Sequence, residues 1–248
     1  MSKKQSKKPQ SKRQRMREER RQKEQRQRLI TIGAIVAVAL LLVGLIAIPA
    51  IQEANEPVAE FIQITPEAYP LAEGTSMGDP DLPVVIQVFE DFKCSACQSY
   101  TSYVEPQVIK EIVEVDMAYY VFRQHPFLTR DDSPRAANAS ECAAEQGEFW
   151  NYKNLVFANF DGVVGEFSDK RLGAFAESLN LDMDQFNACY GSNLYQDKID
   201  EDLALGAENG INATPTVLVN GVNVAPGKVP TFEQIKALVE KAVAESGG

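Results

Sequence analysis

The chain has 248 residues, of which 44% are apolar, and this content is enough for one packed domain with accessory segments. It contains no glycine-rich phosphate-binding loop or nucleotide fingerprint, which argues against a nucleotide-dependent enzyme. The net charge of −10 is unevenly distributed, because residues 1–28 hold 13 Lys or Arg and 3 Glu. That segment carries +10 and the remainder −20, which indicates two chemically different regions.

Residues 29–48 are 20 consecutive residues without charge. As a helix they would span about 30 Å, the thickness of the hydrocarbon core of a bilayer. The basic segment in front favours a cytoplasmic N-terminus and export of the rest of the chain. We therefore predict a basic cytoplasmic tail over residues 1–28 and a single-pass transmembrane signal-anchor over residues 29–51, in the cytoplasmic membrane.

Two alternatives accompany this membrane anchor. A cleaved signal peptide has an apolar core of about 7–15 residues and ends in a small-x-small site, whereas the best candidate here is Ile48-Pro49-Ala50. The basic tail could also contact nucleic acid or ribosomes, but a topology signal on anionic lipid is the simpler explanation. We predict an uncleaved anchor and no nucleic-acid partner.

The extracytoplasmic part begins with a tether and leading edge over residues 52–77. Residues 61–64 of this segment are predicted as a first edge strand. Residues 69–83, which are rich in Gly, Pro and Asp and extend past its end, are predicted as a loop. Residues 84–89 form a short and nearly all-apolar run, which is typical of a buried central strand.

A helical pattern follows over residues 95–113, and Pro106 is expected to kink or break it. Residues 115–122 indicate the next strand. Residues 133–206 are then almost wholly helical in pattern, beginning at Ser133-Pro134, where Pro occupies the first helical position. We predict a helical insertion at this place in the chain.

The pattern returns to strands near the C-terminus. Residues 217–219 and 222–224 indicate two strands joined at Asn220-Gly221, a hairpin signal, and residues 232–244 have the pattern of an amphipathic helix. The order is β-α-β, a helical insertion, then β-β-α. We predict an α/β fold with a thioredoxin-like core and an inserted helical domain, preceded by a single N-terminal transmembrane helix.

Cys94 and Cys97 lie two residues apart at a predicted strand-to-helix junction. Cys94 would lie at the helix N-terminus, where unpaired N–H groups and the helix dipole favour a thiolate, within reach of a disulfide with Cys97. Half of a zinc site is the alternative. Two thiolates without a nearby His or Met under-coordinate a soft metal, and the only histidine, His125, is assigned a structural role. We therefore expect no metal.

The other two cysteines, Cys142 and Cys189, lie in different helix-like segments. Outside the cytoplasm an even number of cysteines can form disulfides. With Cys94 and Cys97 paired by their spacing, these two would form a structural disulfide worth about 4 kcal/mol in the chain-entropy model. Two buried free thiols are the alternative.

Four segments together resemble the DsbA-like branch of the thioredoxin superfamily, which comprises exported thiol–disulfide oxidoreductases. They are the entry to the central strand, the cysteine motif, a helix of the insertion and a Thr-Pro loop near the C-terminus: residues 78–84, 91–97, 141–150 and 210–216. The resemblance implies a DsbA-like thioredoxin domain over residues 78–248 that acts without a cofactor.

The resemblance also implies roles for individual residues. Cys94 would be the attacked cysteine and Cys97 its buried resolving partner. Pro215 would be a cis-proline that faces the pair, and the backbone beside Thr214 would bind an extended substrate segment. An ordinary loop before a strand is the alternative for Thr214 and Pro215.

Two departures from the family pattern affect the chemistry. Ser95 and Ala96 replace the Pro-containing dipeptide that is common between the cysteines in this family. The redox potential of the family therefore cannot be assigned to this chain. The buried carboxylate that many thioredoxin-fold enzymes have six residues before the first cysteine is Val88 here. Glu90 or Asp91 could transfer protons in its place, or could be solvated loop acids.

The leading functional interpretation is a membrane-anchored oxidase that forms disulfides in exported cysteine-containing proteins. As the resemblance implies, a membrane quinone-linked partner of the DsbB or vitamin-K-epoxide-reductase type would reoxidise it. A thiol reductase or disulfide isomerase of the same fold is the first alternative, although residues 49–77 are too short for the dimerisation module that isomerases usually carry. A soft-metal-binding protein is the second alternative.

Overall fold

The computed structural model describes residues 12–55, 58–163 and 165–247. The chain divides into two compact units, residues 1–57 and residues 58–248. Residues 1–11 of the predicted basic tail and residues 56–57 of the predicted tether lie outside the described residues.

The described residues of the first unit form one long helix, α1 (Lys12–Asn55, 44 residues). Its stretch Lys23–Leu45 has a mean hydropathy of 2.5 and is long and apolar enough to cross a membrane. By length and composition this stretch suits either a membrane anchor or a signal sequence.

The second unit is built around a six-stranded sheet with the order β1-β2-β4-β3-β5-β6. The strands are β1 (Ala72–Glu73), β2 (Ser76–Met77), β3 (Val85–Glu90), β4 (Tyr119–Gln124), β5 (Thr216–Val219) and β6 (Val222–Asn223). Strand β3 pairs parallel with β4 and antiparallel with β5. It is therefore a central strand, as its apolar sequence predicts.

Helices cover the sheet and form the insertion between β4 and β5. They are α2 (Ser95–Tyr103), α3 (Glu105–Val108), α4 (Asp132–Ala144), α5 (Phe149–Ala158), α6 (Asp169–Ser178), α7 (Met183–Ser192), α8 (Gln196–Glu208) and α9 (Phe232–Ser246). The five helices α4 to α8 make up the predicted helical insertion. The predicted break near Pro106 is also present, since α2 ends before Val104 and α3 continues into a π-helical turn, Ile109–Val113.

The predicted edge strand over residues 61–64 is wrong, because these residues form no strand. Instead, the Asn159 side chain bonds the backbone of Ile62, accepting from its N–H at 2.7 Å and donating to its C=O at 2.9 Å. Asn151 makes the same pair of bonds with Glu67. Side-chain amides in α5 and at its C-terminal cap thus bond the backbone groups that a neighbouring strand would otherwise bond.

The prediction of a loop over residues 69–83 is wrong in part, since it contains the hairpin β1–β2. Each of these strands has two residues, too few to show an alternating pattern. The predicted hairpin at Asn220-Gly221 is confirmed, with φ values of 45° and 80° at the two residues.

A disulfide joins Cys142 of α4 to Cys189 of α7, with the two Cα atoms 5.8 Å apart. Both residues are buried, and both belong to the large hydrophobic core. The bond therefore ties together two helices of the insertion.

Removing this disulfide is expected to lower the stability of the domain. For a sequence separation of 47 residues, the chain-entropy model gives a loss of about 4 kcal/mol. We expect the variant Cys142→Ala/Cys189→Ala to unfold at a lower denaturant concentration than the wild type. Its Cys94–Cys97 pair should still be oxidised and reduced in a glutathione buffer. An unchanged unfolding midpoint would contradict the structural role of the bond.

Candidate active site

Cys94 lies at the junction between β3 and α2. Strand β3 ends at Glu90, and Cys94 is the N-cap residue of α2, with φ −103° and ψ 115°. Its Sγ accepts a hydrogen bond from the backbone N–H of Cys97 at 3.4 Å. The local sequence thus places one sulfur where the unpaired N–H groups of a helix favour negative charge.

These contacts lower the pKa of the Cys94 thiol from 9.0 to about 6. The largest contribution is a hydrogen bond with the Cys97 thiol, and bonds with the Thr214 side chain and the N–H groups of Ala96 and Cys97 add to it, while burial opposes them. At neutral pH, Cys94 is therefore mainly a thiolate in the reduced protein.

Cys97 has the opposite environment. It is fully buried, and burial raises the pKa of its thiol well above the usual value, with further contributions from the hydrogen bond to Cys94 and the charge of Glu90. The two sulfurs are therefore unequal, one a stabilised thiolate and the other a buried thiol.

The peptide bond between Thr214 and Pro215 is cis and faces this pair. In the antiparallel pairing of β3 with β5, Phe89 lies opposite Thr216, so the residues just before β5 come next to the residues just after β3. Sγ of Cys94 lies 3.2 Å from the carbonyl oxygen of Thr214, to which it donates a hydrogen bond in its protonated form. The structure thus brings together two segments that are 120 residues apart.

Asp91 and Glu90 are both buried, at 1% exposure each, so the alternative of solvated loop acids is wrong. One oxygen of Asp91 accepts from the N–H of Lys93 at 2.8 Å, and the other accepts from the N–H groups of Phe127 and Leu128, each at 2.9 Å. Asp91 therefore uses both oxygens to hold loops in place.

Glu90 lies within a buried polar cluster. Thr101 donates to one of its oxygens at 3.3 Å, and Lys153, which is fully buried, forms an ion pair with Glu105. Burial and the charge of Glu105 raise the pKa of Glu90 well above its usual range, while Lys153 opposes the shift. The sequence analysis missed Lys153 and Glu105, although a lysine within the apolar sequence of α5 was a detectable signal.

A second cluster that the sequence analysis missed surrounds Lys93, the residue before Cys94. Its ammonium donates to the carbonyl of Val163 at 2.6 Å, forms an ion pair with Glu166 and lies 3.5 Å from Asp132. All three partners belong to the helical insertion. This contact holds part of the insertion beside the active-site motif.

The low pKa of Cys94 predicts that the stability of the reduced protein decreases as the pH falls. The thiol ionises near 9.0 in the unfolded chain and at about 6 in the folded protein, so its ionisation stabilises the reduced fold above the unfolded value. This contribution is lost as pH falls from about 9 to about 6. We expect the ultraviolet thiolate absorbance of the reduced protein to fall with a midpoint of about 6, and a midpoint at the unfolded value would contradict this environment.

Comparison with known proteins agrees with this geometry. A family model described as Thioredoxin matches residues 72–241. The probable disulfide bond formation protein D of Bacillus cereus is 27% identical over 218 residues, which cover 86% of this chain and 96% of that protein. The Na(+)/H(+) antiporter NhaA 3 of Salinispora tropica is 32% identical over 145 residues, covering 58% of this chain but only 21% of the antiporter.

Solved structures have the same fold. Oxidised BdbD from Bacillus subtilis matches with a TM-score of 0.61 at 23% identity, covering 69% of this chain and 94% of that one. The α-DsbA1 protein of Wolbachia pipientis matches with a TM-score of 0.60 at 25% identity, covering 71% and 94%. The predicted thioredoxin-like core with a helical insertion is confirmed. The chain belongs to the thioredoxin family, and its structure resembles the DsbA-type proteins.

Proposed function

We propose that this protein is a thiol–disulfide oxidoreductase that forms disulfides in exported proteins, with Cys94 and Cys97 as its redox pair. The observation that carries the proposal is the inequality of the two sulfurs, since the pKa of Cys94 is lowered to about 6 and that of Cys97 is raised. A stabilised Cys94 thiolate favours the reduced form of the enzyme, and an enzyme with a stable reduced form is an oxidant. This supports the oxidase direction over the reductase or isomerase direction.

The proposed reaction begins with the Cys94–Cys97 disulfide. A substrate thiolate attacks Sγ of Cys94, a mixed disulfide forms, and Cys97 leaves as a thiolate that takes up a proton. A second substrate thiol, deprotonated as it reacts, attacks the substrate sulfur of the mixed disulfide and expels the Cys94 thiolate. The substrate gains one disulfide, and two electrons pass to the enzyme.

Thr214 and Pro215 are proposed to bind the substrate. The Thr214 carbonyl lies 3.2 Å from the Cys94 sulfur, so an extended polypeptide bonded to this backbone would present its own sulfur beside Cys94. Recognition through backbone groups would suit substrates of varied sequence.

Glu90 is proposed to exchange protons with Cys97. Burial raises the pKa of Glu90 well above its usual range, which favours the protonated carboxyl, and the charged form of Glu90 raises the pKa of Cys97. A proton on Glu90 could therefore neutralise the departing Cys97 thiolate. Asp91 is assigned a structural role instead, because both of its oxygens accept backbone hydrogen bonds.

The proposed arrangement in the cell has four parts. Residues 1–28 would be a cytoplasmic tail, residues 29–51 an uncleaved membrane anchor, residues 52–77 a tether and residues 78–248 the extracytoplasmic catalytic domain. The length of the apolar stretch in α1 supports the anchor, and the basic residues before it support the orientation. Reoxidation would fall to a membrane quinone-linked partner of the DsbB or vitamin-K-epoxide-reductase type.

The test is the equilibrium reduction potential of the detergent-solubilised full chain in a glutathione buffer. We expect about −120 to −180 mV, the range of DsbA and protein disulfide isomerase. A value near that of thioredoxin, about −270 mV, would overturn the oxidase direction in favour of a reductase. Absence of a titratable couple would overturn the enzyme assignment and favour the soft-metal-binding alternative.

A further inference from the structure

His125, the only histidine in the chain, is buried directly after β4. Its backbone N–H donates to the carbonyl of Glu90 at 2.8 Å. Its ring lies edge-on to Phe89, with ring centroids 5.9 Å apart, and 5.1 Å from the ring of Phe127. The residue therefore contacts the end of the strand that leads to the cysteine motif.

Gly206 of α8 makes room for this ring. A Cβ atom at position 206 would lie 2.5 Å from Cε1 and 2.7 Å from Nδ1 of His125. The backbone of Gly206 is helical and does not require glycine, which is unfavourable inside a helix compared with alanine. Space for the imidazole is thus the physical reason for a glycine at this position.

The other side of the ring contacts the segment that leads to the cis-proline. The backbone carbonyl of Ile211 favours the protonated imidazole, and the N–H of Ile211 donates to the carbonyl of Gly206 at 2.9 Å. The Ile211 side chain packs against Phe89 and Leu218. Ile211 is thus held by the same residues that hold His125.

The charge state of the ring is consistent with a single hydrogen bond. Burial lowers the pKa of His125, while the carboxylates of Asp91 and Asp202 and the Ile211 carbonyl oppose the shift. A neutral imidazole has one N–H, and the Ile211 carbonyl is the group that raises the pKa of the ring as an acceptor of such a donor would. Its Nδ1 is buried without a hydrogen-bond partner in the described part of the chain.

We propose that His125 is a positioning residue that holds the cis-proline loop against Cys94, with Gly206 as the residue that permits its placement. Three residues after Ile211, the Thr214 carbonyl lies 3.2 Å from the Cys94 sulfur, and the side chain of the same residue is among the groups that lower the pKa of Cys94. A shift of the loop would therefore change both the thiolate and the place where substrate backbone binds. This inference rests on the proposed function and names a further residue of the same site.

The test compares three variants of the full chain. His125→Phe keeps an aromatic ring beside Phe89 but removes the N–H donor, and its larger ring also crowds Gly206. Gly206→Ala retains His125 but displaces its ring. Gly173→Ala is the matched control, because Gly173 also lies in a helix, α6, and a Cβ there meets no atom within 4 Å. The readouts are the pKa of Cys94, from thiolate absorbance, and the rate at which a mixed disulfide with a cysteine-containing peptide is resolved.

We expect the first two variants to raise the pKa of Cys94 and to slow resolution by about three- to tenfold, the factor that the loss of one neutral hydrogen bond produces. The control should match the wild type. If both variants lose thermal stability but keep the wild-type pKa and rate, His125 only packs, and the inference is wrong. A wild-type protein without a redox couple would instead refute the proposed function, while the pKa comparison would still test the loop.

Discussion

Cys94→Ala is expected to abolish catalysis of thiol oxidation, while Cys97→Ser is expected to accumulate mixed disulfides. In the first variant no sulfur remains at the N-terminus of α2, and the buried thiol of Cys97, with its raised pKa, cannot replace it. In the second variant the Cys94 thiolate attacks a disulfide of an oxidised substrate and expels one substrate thiolate, and no Cys97 thiol is present to attack Cys94 and release the mixed disulfide that forms. Reducible adducts on a gel and the turnover of a dithiol peptide measure the two effects.

The control for this pair is Cys142→Ala/Cys189→Ala, which removes the disulfide of the insertion and leaves both active-site sulfurs in place. We expect this variant to catalyse oxidation of the dithiol peptide at a temperature where it remains folded. Oxidation catalysed by Cys94→Ala at the wild-type rate would refute the dithiol mechanism.

Lys153→Met is expected to destabilise the domain by about 3–5 kcal/mol, the usual effect of breaking a buried ion pair from one side. Lys153 is fully buried, pairs with Glu105 and lies 3.5 Å from the Thr101 hydroxyl. Methionine keeps most of the side-chain volume, so the loss would come from the carboxylate of Glu105, which remains in the core without its cation. Chemical denaturation of the oxidised protein measures the change.

Two further variants separate charge from packing. Lys236→Met breaks an exposed pair with Glu111 at 3.2 Å, and we expect a change within about 1 kcal/mol. Adding Glu105→Gln to Lys153→Met removes one uncompensated charge, while Gln can still accept the hydrogen bond from Tyr120, so it should restore part of the lost stability. A double variant less stable than Lys153→Met would contradict this electrostatic account.

Much of the fold was predictable because its signals are local. The apolar strand β3, the start of the insertion near Pro134 and the Asn220-Gly221 turn each depend on a few neighbouring residues. The helix α4 begins at Asp132, so Pro134 is its third residue and not the first, which is what the sequence predicted. The edge strand predicted over residues 61–64 failed because Asn159, 97 residues away, bonds the backbone of Ile62. The residues of the segment itself carry no information about which partner their backbone groups will find.

The sequence by itself determined which reactive groups are present. Two cysteines at the start of a helix specify a dithiol, and a Thr-Pro segment near the C-terminus specifies a loop that could face it. Only the tertiary structure decided how the sulfurs differ. The folded chain buries Cys97, Glu90 and Lys153. It also brings Cys94 into contact with Thr214, which lies far away in the sequence. Desolvation and charge–charge interactions depend on distances in space, and spacing along the chain does not contain those distances.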